Sequence, residues 1–333
     1  MVIIMDPITH ALAGVTLGIV ATQMPGFKEN PNIVLGVGIT SSVIPDIDVI
    51  TKLFKNKNYI RYHRNATHSL MGLPFLALIA PLVLFPFTEN ISFLALYLFS
   101  LICIVFHSFL DLLNPYGTRI LPKRTFISYG VIYTFDPIFL FLLLSGAFSF
   151  FISIYLTYQT ILIMVSYFIL RLIIQTRIKK KLLKMFPDAK KIFVLSRVII
   201  YDWNVIIEFD DHFLVANYCA ELRNIDQIEK KDIPNQYKPL ISFLKEYRAF
   251  TSISYCYNVE INEYPEYTEI TLLDLKYRKK NFYYFRAIFR VKDNKLLNSY
   301  IGWVFSIDKF NKKVEKNIAK EYKNEHRKNQ KKY

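Results

Sequence analysis

A chain of 333 residues with three cysteines, no C-x-x-C pair and a formal net charge of +15 is long enough for two folded units and excludes a disulfide framework or a zinc finger. The overall 53% of hydrophobic residues hides a split, because residues 1–175 hold seven acidic side chains whereas 176–333 are charged throughout. Most of the positive excess lies behind the last apolar run and on loops of one side, which suits anionic lipid headgroups, so no nucleic-acid partner is expected.

The opening stretch MVIIMDPITHALAG has no positive segment ahead of its apolar run and does not read as a cleaved signal peptide. Apolar runs of about 17 to 25 residues suffice to cross the hydrocarbon core as helices. Six are predicted, over 8–24, 32–50, 68–87, 91–113, 137–156 and 158–174. The first two are short and carry Thr9, His10, Ser41 and Ser42. Gly14 and Gly18 form a G-x-x-x-G that predicts close helix packing rather than phosphate binding. Basic residues gather between runs 2 and 3 (Lys52, Lys55, Lys57, Arg61, Arg64), between runs 4 and 5 (Arg119, Lys123, Arg124) and after run 6 (Arg177, Lys179, Lys180, Lys181). By the positive-inside rule these regions and both termini face the cytoplasm, and the chain is expected in the cytoplasmic membrane.

Behind the basic run at 177–184 the periodicity becomes that of strands: WNVIIEF, HFLVANYC, SISYCYNVEI, YTEITLLDLKY, NFYYFRAIFRV and LLNSYIGWVF. In the fifth, Tyr283, Phe285, Ala287, Phe289 and Val291 alternate with Arg286 and Arg290. One helix is predicted around 236–249. The fold class is thus a multi-pass α-helical membrane domain (1–175) followed by a soluble α+β domain with an antiparallel sheet (176–307) and a basic C-terminal tail (308–333).

Ionisable residues in membrane segments are functional suspects, and their places along the runs carry the argument. His10 opens run 1, Asp46 and Asp48 close run 2, and His63 and His68 precede and open run 3. His107 and Asp111 close run 4, and Asp136 opens run 5. With the predicted threading all of them fall at the cytoplasmic ends. Imidazole with carboxylate is the ligand mixture for zinc, manganese or ferrous iron, and the number of groups allows two or three ions with a bridging hydroxide. His107 and Asp111, at i and i+4, share one helix face. Asp46 and Asp48 point the same way only if the chain after Pro45 is extended.

Plainer readings stand beside these. Asp6-Pro7 and Asp136-Pro137 also read as an N-cap followed by proline at N1, and Asp6 is left out of the ligand set for that reason. His10 and His68 also suit hydrogen bonds between helices, and His63 suits a solvated basic loop. Arg64 and Arg119 either clamp an anionic substrate or merely set topology. Cys103 reads as a small apolar packer, and Asn114-Pro115-Tyr116-Gly117 as the stop after run 4.

The strings MDPITHALAGVTLG, SSVIPDIDVI, HRNATHSL, FHSFLDLLNPYGTRILPKR and FDPIFL, in this order over residues 5–145, resemble the YdjM-type family of membrane-bound, metal-dependent hydrolases, also described as inner-membrane hydrolases linked to LexA binding. The soluble half looks like the tail of the YfhP-like branch of Firmicutes. The resemblance implies that His10, Asp46, Asp48, His68, His107, Asp111 and Asp136 occupy metal-site positions, with His63 a looser assignment. Asp48, His68 and Arg64 are the expected catalytic residues. The expected function is metal-dependent hydrolysis, of a phosphoester, with zinc as the expected divalent ion. Membrane lipids, a phosphorylated or lipid-linked substrate and a cytoplasmic protein are the expected partners. The alternative is a non-enzymatic scaffold or regulator with a structural metal, its soluble domain binding that protein. A transporter ranks last, since it predicts polar residues midway through the runs.

Overall fold

The structure is a computed structural model, and it describes residues 7–49, 68, 70–115, 117–118, 127–279 and 282–304. Two compact units divide the chain between Ile228 and Glu229.

The first unit opens with α1 (Pro7–Ala21) and α2 (Pro31–Val43), which meet backbone against backbone. A Cβ on Gly14 would lie 2.3 Å from the carbonyl oxygen of Gly38, and one on Gly18 would lie 3.0 Å from Leu35 Cδ2. The G-x-x-x-G is therefore a helix-packing face, as its spacing predicts. Asn30 fixes the connection: its Nδ2 donates to the carbonyls of Gly26 (3.0 Å) and Glu89 (2.6 Å), while its Oδ1 accepts from Glu89 N (3.0 Å). Gly26, at φ +79°, makes the turn before it.

The run at 68–87 is not one helix. It contains α3 (Leu73–Leu76), α4 (Ile79–Leu84) and a 3₁₀ turn over Phe85–Phe87, because Pro74, Pro81 and Pro86 each remove a donor from any longer ladder. Helix α5 (Phe93–Leu113) is continuous, capped by Ser92, and is tied to α2 and α3 through Ser41, Ser100 and the Ala77 carbonyl. Helix α6 (Pro137–Ser149) and the 32-residue α7 (Ile154–Met185) complete the helical part.

Of the six predicted runs, α5 and α7 are long and apolar enough to cross a membrane; the segments Pro7–Ala21, Pro31–Ile47, Leu73–Phe87 and Pro137–Ser149 are shorter. At about 1.5 Å per residue a 15-residue helix spans about 22 Å, less than the roughly 30 Å hydrocarbon core. Six complete crossings are thus more than these helix lengths establish.

Helix α7 does not stop at the end of the apolar run. It continues through the basic stretch and packs on β1 (Lys191–Ser196), the edge of an antiparallel sheet β1-β2-β3-β4 with β2 over Trp203–Glu208, β3 over His212–Cys219 and β4 over Glu221–Glu229. The compositional boundary at 175/176 therefore falls inside a helix. Strands β1 and β4 are absent from the sequence reading. Most of β4 is exposed and lacks period-2 burial, so it carries no pattern to find.

The second unit begins at the end of β4. The single helix expected at 236–249 is two short ones, α8 (Lys238–Ser242) and α9 (Lys245–Ile253). Its sheet has the order β10-β9-β6-β5, all antiparallel, from β5 (Tyr257–Glu263), β6 (Thr268–Asp274), β9 (Phe285–Lys292) and β10 (Lys295–Trp303). A two-stranded pair, β7 (Arg278–Lys279) and β8 (Phe282–Tyr283), lies between β6 and β9 in sequence. Helix α9 covers β9 and β10, with Phe250 stacked on Phe285 at 5.3 Å. Phe285, Ala287, Phe289 and Val291 are buried while Arg286 and Arg290 are half-buried, as the alternation predicts. The basic tail lies outside the described residues.

Candidate metal centre

Helix α5 carries near its C-terminal end two buried ionisable side chains one turn apart, His107 and Asp111. The α1–α2 packing brings the end of α2 and the 3₁₀ turn Ile44–Val49 to the same place, and with it Asp46. His68 arrives from the far side of a long connection. One donor atom from each of Asp46, His68, His107 and Asp111 lies within 4.8 Å of the other three. His68 Nε2 is 3.1 Å from His107 Nε2, 3.2 Å from Asp111 Oδ2 and 3.5 Å from Asp46 Oδ1. His107 Nε2 is 3.7 Å from Asp111 Oδ2 and 3.9 Å from Asp46 Oδ1. Ligands held at 2.0–2.1 Å around a tetrahedral zinc stand about 3.3 Å from one another. The observed separations bracket that spacing, and the group is able to hold a metal ion.

The surroundings orient the donors. His107 Nδ1 donates to the Ser42 carbonyl at 2.7 Å, so in the neutral ring Nε2 carries the lone pair and faces the group. Asn114 Nδ2 donates to Asp111 Oδ1 at 3.1 Å, while Asn114 Oδ1 accepts from Gly117 N at 3.0 Å. Asn114 is thus both the helix stop expected from sequence and an orienting residue, a role the sequence reading missed. His10 lies alongside: its ring stacks on His107 with centroids 3.8 Å apart, and its Nε2 is 3.7 Å from Asp111 Oδ1. Both of its ring nitrogens are buried and lack a hydrogen-bond partner among the described residues.

Other expected ligands stand differently. Asp136 is absent from the group. Its Oδ1 caps α6 by accepting from the Ile138 and Phe139 amides, both at 3.1 Å, and its Oδ2 accepts from the Tyr167 hydroxyl at 2.7 Å with Arg171 Nη2 at 4.0 Å. The capping alternative describes its position, and Pro137 at N1 is the signal that gives it away. The segment after Pro45 is 3₁₀ rather than extended. The Asp48 side chain, His63, Arg64 and Arg119 lie outside the described residues.

Arg171 lies inside a predicted apolar run, yet it is fully buried and donates to the carbonyls of Val131 (3.1 Å), Arg197 (3.2 Å) and Ile199 (3.4 Å) beneath the Trp203 ring. A lone arginine in FILRLII was the available signal. It fastens the loop before α6, and through Asp136 the start of α6, to the first sheet.

Comparison with known proteins fits this architecture. The family model described as YdjM inner membrane protein matches residues 5–178, more than half of the chain. The chain belongs to the YdjM family. The match covers every described member of the ligand group and ends near the point where α7 leaves its apolar stretch. A second model, the YfhP C-terminal alpha/beta plait domain, matches residues 243–314. The chain is also similar to the "Uncharacterized protein YfhP" of Bacillus subtilis (strain 168), 32% identical over 93% of this chain and 98% of that one. It is therefore a YdjM/YfhP-like protein along most of its length. No solved structure matches.

Proposed function

We propose that the helical part of the first unit is a membrane-bound, metal-dependent phosphoester hydrolase whose ion is held by Asp46, His68, His107 and Asp111. The observation that carries this reading is the convergence of four ligand-type side chains, from positions far apart in sequence, into one buried group. A mixed nitrogen and oxygen set at near-tetrahedral spacing favours zinc over manganese or iron, which take more ligands. A bound ion would supply Lewis acidity and an activated water. In the net reaction water adds to phosphorus, the ester P–O bond breaks, and the alcohol leaves with the proton that water lost.

The chain's own residues prepare that chemistry. Ser42 and Asn114 hold His107 and Asp111 in ligating orientation. His10, with both nitrogens free of hydrogen bonds among the described residues, is the natural ligand for a second ion. On sequence grounds Asp48 and His63 belong to the same set, with Asp48 and His68 acting at the substrate and Arg64 as its phosphate clamp. All six apolar segments are proposed to enter the membrane, with the basic loops and both termini cytoplasmic.

Metal analysis of the purified wild-type chain and His107→Ala, together with a screen of generic phosphoesters, tests the reading. Loss of metal and of activity together is expected, and equal metal content in the two proteins sinks the assignment. Reporter fusions at residues 60 and 89 test the sidedness, which fails if position 89 is cytoplasmic.

Burial favours a second reading. None of the four donor residues is more than 4% exposed, and an enclosed set of protein ligands suits a structural metal. The protein would then be a regulator whose soluble domain binds a cytoplasmic partner. Chelation that unfolds the protein, with no phosphoester ever hydrolysed, selects this reading.

A further inference from the structure

Beside the ligand group lies a groove of about 350 Å³ between α1, α5, α6 and α7. Helix α1 contributes Ala13 and Leu17, α5 contributes Phe106 and Leu113, and α7 contributes Ile161 and Leu172. Its volume is within the range of about 300 to 1,000 Å³ typical of small-molecule sites. The one hydroxyl in the lining, that of Thr16, donates to the Leu12 carbonyl at 2.9 Å inside its own helix. The wall therefore offers hydrocarbon and no unspent polar group.

The direction of the groove is fixed by the helices that form it. Ala13 is one turn beyond His10, and Leu113 is two residues beyond Asp111, so this end lies at the level of the ligand group. Leu17 continues α1 away from His10, while Phe106 directly precedes the donor His107 and keeps the α5 wall at the level of the group. On α7 the lining extends from Leu172, next to buried Arg171, to Ile161, about 16 Å by the helical rise. The two longest walls, α5 and α7, are the helices able to cross a membrane. Ligand-type side chains on α1 and α5, with an apolar groove on the same two helices and α7, match the two parts of an amphiphile.

We infer that this groove receives the hydrocarbon tail of a lipid phosphoester whose head group lies at Asp46, His68, His107 and Asp111. The inference rests on the hydrolase reading for the fate of the head group, while tail binding is a separate property. A bulk-lipid contact is distinguished by place: Leu162 and Phe141 are two-thirds exposed and lie outside the lining, whereas Phe109 and Ile169 are part of it.

The full chain in nanodiscs supplies the test, with phosphatidic acid carrying a diazirine on its acyl chain as the probe. Photolabelling is expected at Phe109 and Ile169 above Leu162 and Phe141, and excess unlabelled dioleoyl but not dihexanoyl phosphatidic acid should suppress it. In a second arm, Ile169→Trp narrows the groove, and the ratio of kcat/KM for dioleoyl over dihexanoyl phosphatidic acid should fall about tenfold or more. Labelling spread evenly over all exposed apolar positions, or an unchanged ratio, overturns the inference. If the wild-type chain hydrolyses neither lipid nor any generic phosphoester, the hydrolase reading fails alone and the labelling pattern, which needs no turnover and no variant, decides the groove; turnover of generic phosphoesters with neither lipid hydrolysed overturns the inference.

Discussion

The two units both bury ionisable side chains, and they do so in opposite ways. In the sheet unit, Asp274 ends β6 and Lys276 stands in the short 3₁₀ turn that follows. Lys276 Nζ lies 3.8 Å from Asp274 Oδ2, donates to the Ile253 carbonyl at 3.1 Å and sits 4.1 Å from the Tyr255 ring centroid, while Asp274 Oδ1 accepts the Lys276 amide at 2.8 Å. The partners are local, opposite in charge and tied to backbone, which is the arrangement of a structural ion pair. In the helical unit the group repeats donor types instead: two carboxylates and two imidazoles, from positions 46, 68, 107 and 111. Asp136 and Arg171 stand between the two cases, remote in sequence but opposite in charge and joined to a helix cap. Since all three sets are buried, burial does not separate structure from ligation. Repetition of donor type brought together over distance does.

Substitutions in the two places are expected to act differently. The largest effect is expected from His107→Ala. It removes a donor itself, and loss of a mere outer-shell partner costs about 10- to 100-fold, so activity should fall by more than about 100-fold, with bound metal lost by elemental analysis. Lys276→Met strands a buried carboxylate and should destabilise the sheet unit by about 3–5 kcal/mol in urea unfolding, with metal content unchanged. Metal loss in Lys276→Met, or full metal retention in His107→Ala, would remove the distinction.

Much of this was legible in the sequence because period and residue type report local facts. The alternation around Phe285 to Val291 gave a strand, the i, i+4 spacing gave His107 and Asp111 one face, and Gly14 with Gly18 gave a helix contact. What escaped depends on events at a distance. The prolines at 74, 81 and 86 divide a run that hydropathy alone joins. Strand β4 is exposed and so lacks a pattern. Asp136 presents the same two letters, Asp-Pro, whether it caps or ligates, and only the Tyr167 hydroxyl and the α6 amides distinguish them. Arg171 was visible as a charge in an apolar run, but its three carbonyl partners lie at 131, 197 and 199, which no spacing rule connects to it.

Asn114 supports the donor group without belonging to it. Its amide holds Asp111 Oδ1 and the Gly117 amide at once, so Asn114→Ala should keep all four donors yet lose their alignment. Metal affinity is expected to fall about tenfold, read by competition with a chelator, with less effect on activity at saturating metal than His107→Ala produces. A loss as large as that of His107→Ala would make Asn114 part of the donor set rather than its support.

The smallest expected effect is on pH dependence, and it belongs to the sheet unit. Burial raises the Asp274 carboxyl above its ordinary range, against the opposing pull of the Lys276 ammonium, the Ser254 hydroxyl and the Lys276 amide. Burial likewise lowers the Lys276 ammonium, against Asp274 and Cys256. A raised carboxyl binds its proton in the folded chain before it does in the unfolded one, so the contribution of Asp274 to stability grows as pH falls from the raised value toward about 3.9. It is lost again as pH rises back through that raised value. Lys276 has the opposite sign: the folded chain releases its proton first, and its contribution grows as pH rises from the lowered value toward about 10.4. The pair therefore weakens the unit most at pH values where both groups are charged. Asp274→Leu combined with Lys276→Met should flatten both flanks of the curve of urea-unfolding stability against pH, while costing less at neutrality than Lys276→Met alone, because neither charge is left buried without the other. A double variant whose pH curve retains both flanks would show that other groups set the dependence, and that the Asp274–Lys276 pair is electrostatically silent in the folded chain.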